Sequence, residues 1–232
     1  MSPPTPEPQD AEKRSRRNFI RAGALGVTTA AMAATGLSAA YQPAAAARPR
    51  DAPLALTPNC SGHETPAAME GPLFKPESPL RNNLLTPAVR GGVNLTLSGT
   101  VFDLACTPQA GVLLEFWQCD QNGDYDTTGF SLRGHQFTDA NGRYRLITII
   151  PRDYYGLWGF RTPHIHTQVQ APGAPVLVTQ LYFPDDTQAY GRDFAHHNAN
   201  DGLMNRACTI TLGPLDAGQY SGTFDFVIKT TV

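Results

Sequence analysis

From Val93 to Ile228, short apolar runs alternate with turn signals at roughly ten-residue spacing, and that rhythm leaves few folds open to the chain. Val93-Leu95-Leu97 alternates with polar neighbours, and Val101 to Leu104 continues the run. Val112 to Trp117 follows, closed by the turn-like Asp120-Gln121-Asn122-Gly123. After Asn141-Gly142, the residues Tyr144, Leu146, Thr148 and Ile150 form one face of another strand. His164 to Gln170, Val176 to Phe183, Ala207 to Leu212 and Thr223 to Ile228 supply four more. Phe224-Phe226-Ile228 has the period of two that marks a buried strand face. No amphipathic stretch exceeds about two helical turns, and no internal repeat is visible. The pattern predicts an all-β protein, a single-domain β-sandwich with an irregular N-terminal arm and long functional loops.

Composition agrees. A length of 232 residues suits one or at most two domains. Gly 21 and Pro 20 with only 16% charged residues describe a turn-rich domain, neither a helical bundle nor a disordered chain. The formal net charge of −2, without a Lys/Arg cluster past the first fifty residues, argues against nucleic-acid binding.

The first fifty residues read differently. A basic segment, Arg14-Ser15-Arg16-Arg17, precedes Phe19-Ile20, an Ala/Gly/Thr-rich stretch from Ala22 to Ala40, and the small residues Ala44 to Ala47. This is the order of a cleaved export signal, and Arg16-Arg17 resembles the twin-arginine kind. A transmembrane anchor is disfavoured, because the stretch is poor in Leu, Ile and Phe. The expected layout is a signal over 1–47, an extended arm over 48–90 and the sandwich core over 91–232. After cleavage the protein would be periplasmic or extracellular, with no membrane association. Leu73, Phe74, Leu80, Leu84 and Leu85 need cover, so the arm is expected to pack on the core.

The sharpest local signal is His164-Ile165-His166 inside a β pattern. Residues i and i+2 of a strand share a face, so both imidazoles can reach one metal ion while Ile165 turns into packing. Alone the pair fits surface histidines equally well, and zinc would be its default metal. Nearby tyrosines change the chemistry. Tyr154 and Tyr155 lie about ten residues upstream in a loop, and Tyr125 follows the turn after Trp117. Phenolate is a hard, strongly donating anion that favours an oxidised ion such as Fe(III). Two tyrosinates and a hydroxide would balance three positive charges and leave the histidines neutral.

Six ordered segments then resemble one family, the intradiol catechol dioxygenases. They are Glu70-Gly71-Pro72-Leu73-Phe74, Leu114 to Asp120 with Gly123-Asp124-Tyr125, Leu132-Arg133-Gly134 with Thr138 to Gly142, Ile150 to Tyr154, Arg161 to His166, and Gln180 to Phe183. The export signal and the Trp117-Gln118-Cys119-Asp120 form are similar to its secreted branch. The resemblance implies a non-haem Fe(III) enzyme that opens a catechol ring with O2 between the two hydroxyl-bearing carbons, giving a muconate-type diacid. It implies Tyr125, Tyr154, His164 and His166 as metal ligands, with Tyr154 leaving the metal and taking a substrate proton. It also implies Arg161 as an electrostatic catalyst. Gln180 would orient Arg161 or the peroxo group, or satisfy a core hydrogen bond, and Arg133 would be structural. A homo-oligomer is allowed for.

The chain departs from the family pattern after Tyr154, where Tyr155 to Phe160 intervene. Tyr155 competes with Tyr154 as ligand, and Trp158 and Phe160 are expected to line the pocket. Arg152 is the one obvious loop cation for an anionic substrate, and His196-His197 reads as solvated loop. Export permits disulfides. Cys106–Cys119 would brace the Tyr125 turn and is preferred over Cys60–Cys208, although four cysteines allow three pairings. Two other readings compete: an exported non-catalytic metal- or ligand-binding sandwich, and a zinc hydrolase, which lacks a third ligand at sensible spacing.

Overall fold

A computed structural model of the chain describes residues 60–230. The export signal and the first part of the arm therefore lie outside the described residues. In chain order the elements are β1 (Asn94–Asp103), β2 (Leu113–Trp117), β3 (Arg133–Phe137), β4 (Arg143–Ile149), β5 (Tyr154–Gly156), β6 (Gly159–Arg161), β7 (His164–Gln170), β8 (Leu177–Tyr182), α1 (Phe194–Asn200), β9 (Thr211–Leu212), β10 (Gln219–Thr223) and β11 (Phe226–Ile228).

Two sheets form the sandwich. One is built on β1, which pairs antiparallel with β4 along one edge. Along its other edge β1 pairs parallel first with β10 and then with β11. Gly99 marks the change of partner, since a Cβ there would collide with the Phe224 carbonyl oxygen. The second sheet has the order β3-β2-β7-β8, all antiparallel. Leu95, Leu97, Leu146 and Phe226 from the first sheet meet Leu114, Phe116, Ile165 and Leu181 from the second in one buried cluster. Alternation along each strand sends these residues inward, and each such side chain contributes roughly 1.5–3 kcal/mol by leaving water.

The arm covers the sandwich as expected, but not through every predicted residue. Leu84 is buried, whereas Leu80 is 68% exposed. Backbone bonds hold this stretch instead: Arg81 N donates to His135 O at 2.9 Å, and Leu84 N to Ile147 O at 2.8 Å. Further upstream Thr65 N donates to Val227 O, and Ala68 N to Val178 O.

Other expectations need correction. Thr223 to Ile228 is not one strand; Phe224 and Asp225 separate β10 from β11, and Asp225 Oδ1 accepts from Thr100 N at 2.7 Å. Ala207 to Leu212 is a 3-10 turn over Arg206–Cys208 followed by the two-residue β9. The segment with His196-His197 is helix α1, capped by Asp193. Within it His196 is exposed, but His197 packs on the Phe160 ring, with centroids 5.0 Å apart.

The disulfide is Cys60–Cys106, with Cα atoms 5.7 Å apart, and Cys119 and Cys208 are free and buried. Both proposed pairings are therefore wrong. Cys106 lies in the turn leaving β1 and Cys119 beyond the far end of β2. A five-residue strand spans on the order of 16 Å, too far for a bridge. Cys119 Sγ instead donates to Arg152 O at 3.2 Å, and Cys208 Sγ lies 3.6 Å from Thr179 Oγ1.

Candidate metal centre

The β7 register builds half of the site. Ile165, Thr167 and Val169 are buried on one face, and His164 and His166 share the other, also buried. Their Nε2 atoms are 3.1 Å apart. Trp117 is the cross-strand partner of His166 on β2, and the two rings stack at 4.9 Å with an interplanar angle of 10°. Gln180 is its partner on β8. Phe74 from the arm packs edge-on against Trp117, centroids 5.0 Å apart.

The tyrosines arrive from two loops. Asp120 shapes the first turn, its Oδ1 accepting from Asn122 N at 2.7 Å and Asp124 N at 3.0 Å. The Asp126 carboxylate then accepts from the amides of Thr128, Gly129 and Ser131. These bonds hold Asp126 well below the usual carboxylate range, so the turn around Tyr125 stays pinned by an ionised group. Gly123 has φ 93°, and a Cβ there would lie 3.0 Å from Asp153 O, so the two loops touch only because this residue is glycine. The second tyrosine sits on β5, where strand alternation points Tyr154 inward and leaves Tyr155 85% exposed. Of the two tyrosines, Tyr154 is the one whose hydroxyl meets His164.

All four expected ligands converge. The Tyr125 hydroxyl donates to Tyr154 Oη at 3.5 Å, and Tyr154 Oη lies 3.4 Å from His164 Nε2. His164 Nδ1 contacts Thr162 O at 2.6 Å. A carbonyl can only accept, so Nδ1 carries the hydrogen and Nε2 presents a lone pair to the cluster. Burial, aided by Arg161, drives the His164 pKa down to about 3. Burial and His164 push His166 well below its ordinary value, so both imidazoles are neutral. Burial raises the phenols of Tyr125 and Tyr154 above theirs. Unaided, both stay protonated at neutral pH; a strongly charged cation would make them phenolates.

This donor set fits a hard trivalent ion. Two neutral nitrogens and two ionisable phenols within 3.5 Å of their neighbours suit Fe(III) better than zinc. Among the described residues no group of three or more His, Cys, Asp or Glu side chains is arranged for a metal. The chemistry here depends on tyrosine.

Arg161 is the cross-strand partner of Tyr154 and is buried. Its Nε donates to Asp201 Oδ2 at 3.1 Å and Oδ1 at 3.3 Å, and its Nη2 to Gln180 Oε1 at 2.5 Å. Burial opposes its charge, but Asp201, Tyr182 and Tyr154 outweigh that and raise its pKa. Gln180 joins Arg161 to the arm, because its Nε2 also donates to Met69 O at 2.9 Å. Arg133 is structural: it is buried, and its Nε donates to Asp126 O at 3.0 Å under the Tyr125 loop. Asp201 escaped sequence reasoning. Its sole signal was an acidic residue ending the Asn198 to Asp201 run, forty positions from Arg161.

A cavity of about 620 Å³ opens over the cluster, lined by Tyr125, Tyr154, Arg161, His166, the arm residues Gly71 to Leu73 and the β5–β6 hairpin tip. Trp158 reaches it, but Phe160 does not; that ring packs against Tyr155 and His197. Arg152 does not line it either, its Nη1 donating to Gln121 O at 3.4 Å.

Comparison with known proteins identifies the family. A family model described as "Dioxygenase" matches residues 69–230. Catechol 1,2-dioxygenase of Acinetobacter baylyi is 34% identical over 156 residues, covering 57% of this chain and 50% of that protein. The protocatechuate 3,4-dioxygenase beta chain of Burkholderia cepacia is 33% identical over 175 residues, 65% of this chain and 72% of that one. Among solved structures, the dioxygenase domain of a dioxygenase carbohydrate-binding protein fusion from Streptomyces sp. SirexAA-E is 49% identical. It superposes with a TM-score of 0.61 over 72% of this chain and 99% of that one. The chain spans about half the length of the first curated relatives it matches.

Proposed function

The chain belongs to the intradiol dioxygenase family, and from that premise we propose that it is a non-haem Fe(III) enzyme opening a catechol-type ring with O2 to a muconate-type diacid. The observation that carries this reading is the convergence of Tyr125, Tyr154, His164 and His166 beneath one cavity that Arg161 also lines. These four residues would hold the ion. A bound ferric ion would supply Lewis acidity toward the diol and redox chemistry toward O2.

The protein's own groups do the rest. Tyr154 Oη receives a proton from the incoming diol, and its buried phenol, with a pKa above the ordinary value, keeps it at neutral pH. Arg161 faces the negative charge that develops on the ring, and Asp201 and Gln180 hold its guanidinium in place beforehand. Pro72 and Leu73 close one wall with apolar surface and keep water from the reacting ring.

The enzyme works outside the cytoplasm on this reading, carried there folded by the Arg16-Arg17 signal. The Cys60–Cys106 bond supports it, because disulfides persist in oxidising compartments. Replacing Arg16 and Arg17 by Lys would then strand the precursor inside the cell, and undiminished mature protein outside would overturn export by this route.

The activity is tested by loading purified protein with iron and adding catechol under oxygen. Tyrosinate-to-iron charge-transfer colour, with one O2 consumed per ring opened, is expected. Bound iron without that colour, or colour without cleavage of either catechol or a 4-substituted catechol, would refute the assignment.

A further inference from the structure

Resting on the ring-cleavage reading, we infer that the substrate is a catechol bearing a bulky, uncharged, apolar group on the ring carbons remote from its hydroxyls. Leu157 and Trp158 receive that group.

Size comes first. The 620 Å³ cavity is of the size that houses a drug-sized ligand, roughly 300–1,000 Å³, and a single diol ring leaves most of it unfilled. The added space is apolar. Leu157 is 80% and Trp158 55% exposed, side by side at the tip of the β5–β6 hairpin, and both line the same cavity as Tyr125 and Tyr154. Exposed apolar side chains contiguous with a reaction site mark a surface that a ligand covers. Pro72 and Leu73 form the wall from the arm. A ring whose hydroxyls point at the Tyr/His cluster presents its 4- and 5-carbons outward, toward the hairpin.

Charge decides between kinds of substituent. Among the described residues Arg161 is the one cation lining the cavity, and its guanidinium is already paired with Asp201. The lining acid is Asp124. A ring carboxylate would lose its hydration, find no free counter-ion and meet Asp124, so an anionic ring acid is rejected. An aryl or alkyl group instead removes Leu157 and Trp158 from water.

The test uses the iron-loaded protein with catechol, 4-phenylcatechol and protocatechuate. We expect kcat/KM for 4-phenylcatechol to exceed that for protocatechuate by about tenfold or more. Replacing Leu157 and Trp158 together by Ala should lower the ratio of 4-phenylcatechol to catechol kcat/KM by about tenfold. Anaerobic binding gives a readout separate from turnover. Of the two tryptophans, Trp117 is buried and Trp158 exposed, so 4-phenylcatechol should change the emission of the wild type more than that of Trp158→Phe. Protocatechuate cleaved as well as 4-phenylcatechol, or a ratio unmoved by the double substitution, would overturn this specificity and leave ring cleavage standing. Cleavage of none of the three would overturn ring cleavage itself. Anaerobic binding then decides alone: tighter 4-phenylcatechol than protocatechuate binding, lost in the double variant, supports the pocket, and equal binding removes it.

Discussion

Tyr154 and Arg161 are register partners across the β5–β6 hairpin. On the proposed mechanism, the group that would receive the substrate proton and the cation that would face the substrate's charge ride on one small unit. That unit is fastened at one end by Asp201, which accepts from Arg161 Nε and, at 2.9 Å, from Thr162 N. Its other end, Tyr155 to Gly159, is exposed. On the proposed reading, the reacting groups sit at the anchored base of the hairpin and the substrate's outer part would meet its exposed tip.

Tyr125→Phe or His166→Ala should lose most of the bound iron, because each removes one of only four converging donors. Metal analysis and the visible band of the purified variants check this. Full occupancy in either would show that the ligand set is wrong.

Arg161→Lys should keep iron, colour and anaerobic catechol binding, yet turn over about a hundredfold more slowly. Lys retains the charge but loses the planar fork that reaches Asp201 and Gln180 together. One preorganised charged donor is worth on the order of 3 kcal/mol in the transition state. An oxygen pulse on the anaerobic complex measures the step, and a rate within about twofold of wild type would make Arg161 merely structural.

Asp201 and Arg161 should behave as a coupled pair. Both are buried, so Asp201→Asn strands a cation and should cost roughly 3–5 kcal/mol of stability. Arg161→Met combined with Asp201→Asn should be less costly than the sum of the single changes by more than about 1 kcal/mol, while turnover stays low. Urea denaturation of the four proteins measures the coupling, and additive losses would deny it.

Stability of the iron-free protein should fall on mild acidification. An unfolded histidine takes a proton near pH 6.5, whereas folded His164 resists until about pH 3. Between those values the unfolded chain holds more protons. The stabilisation is complete above about pH 6.5 and drains at about 1.4 kcal/mol per pH unit for this residue. His166 is displaced the same way and steepens the slope. Urea midpoints should hold down to about pH 6.5 and then decline towards about pH 5; a flat profile across that range would mean that the imidazoles are not buried neutral.

Opening the disulfide by Cys60→Ser should cost about 4 kcal/mol, the loop entropy expected for its separation of 46 residues. Peptide mapping under non-reducing conditions should recover Cys60 linked to Cys106, with Cys119 and Cys208 alkylated as free thiols. A Cys106–Cys119 peptide would contradict the structure.

Strand alternation and motif order made most of the core legible, together with the four side chains that converge at the candidate site. His164-Ile165-His166 states its own geometry, because i and i+2 of a strand must share a face. Tyr125 and Tyr154 were placed by ordered segments around them. What remained hidden depends on contacts between distant residues. Motif order favoured Tyr154 over Tyr155 through its place after Pro151, but the direction of each ring follows from the pairing with β6, which makes the segment a strand whose neighbours point to opposite faces. Asp201 stands forty residues from the guanidinium it holds, so no local pattern could join them. The cysteine pairing failed for the same reason, since β2 holds Cys106 and Cys119 at its opposite ends while the arm brings Cys60 back. Local periodicity thus determined which residues face inward. Tertiary packing decided which of the inward groups meet, because proximity across strands and loops is set by register and chain return and not by spacing along the chain.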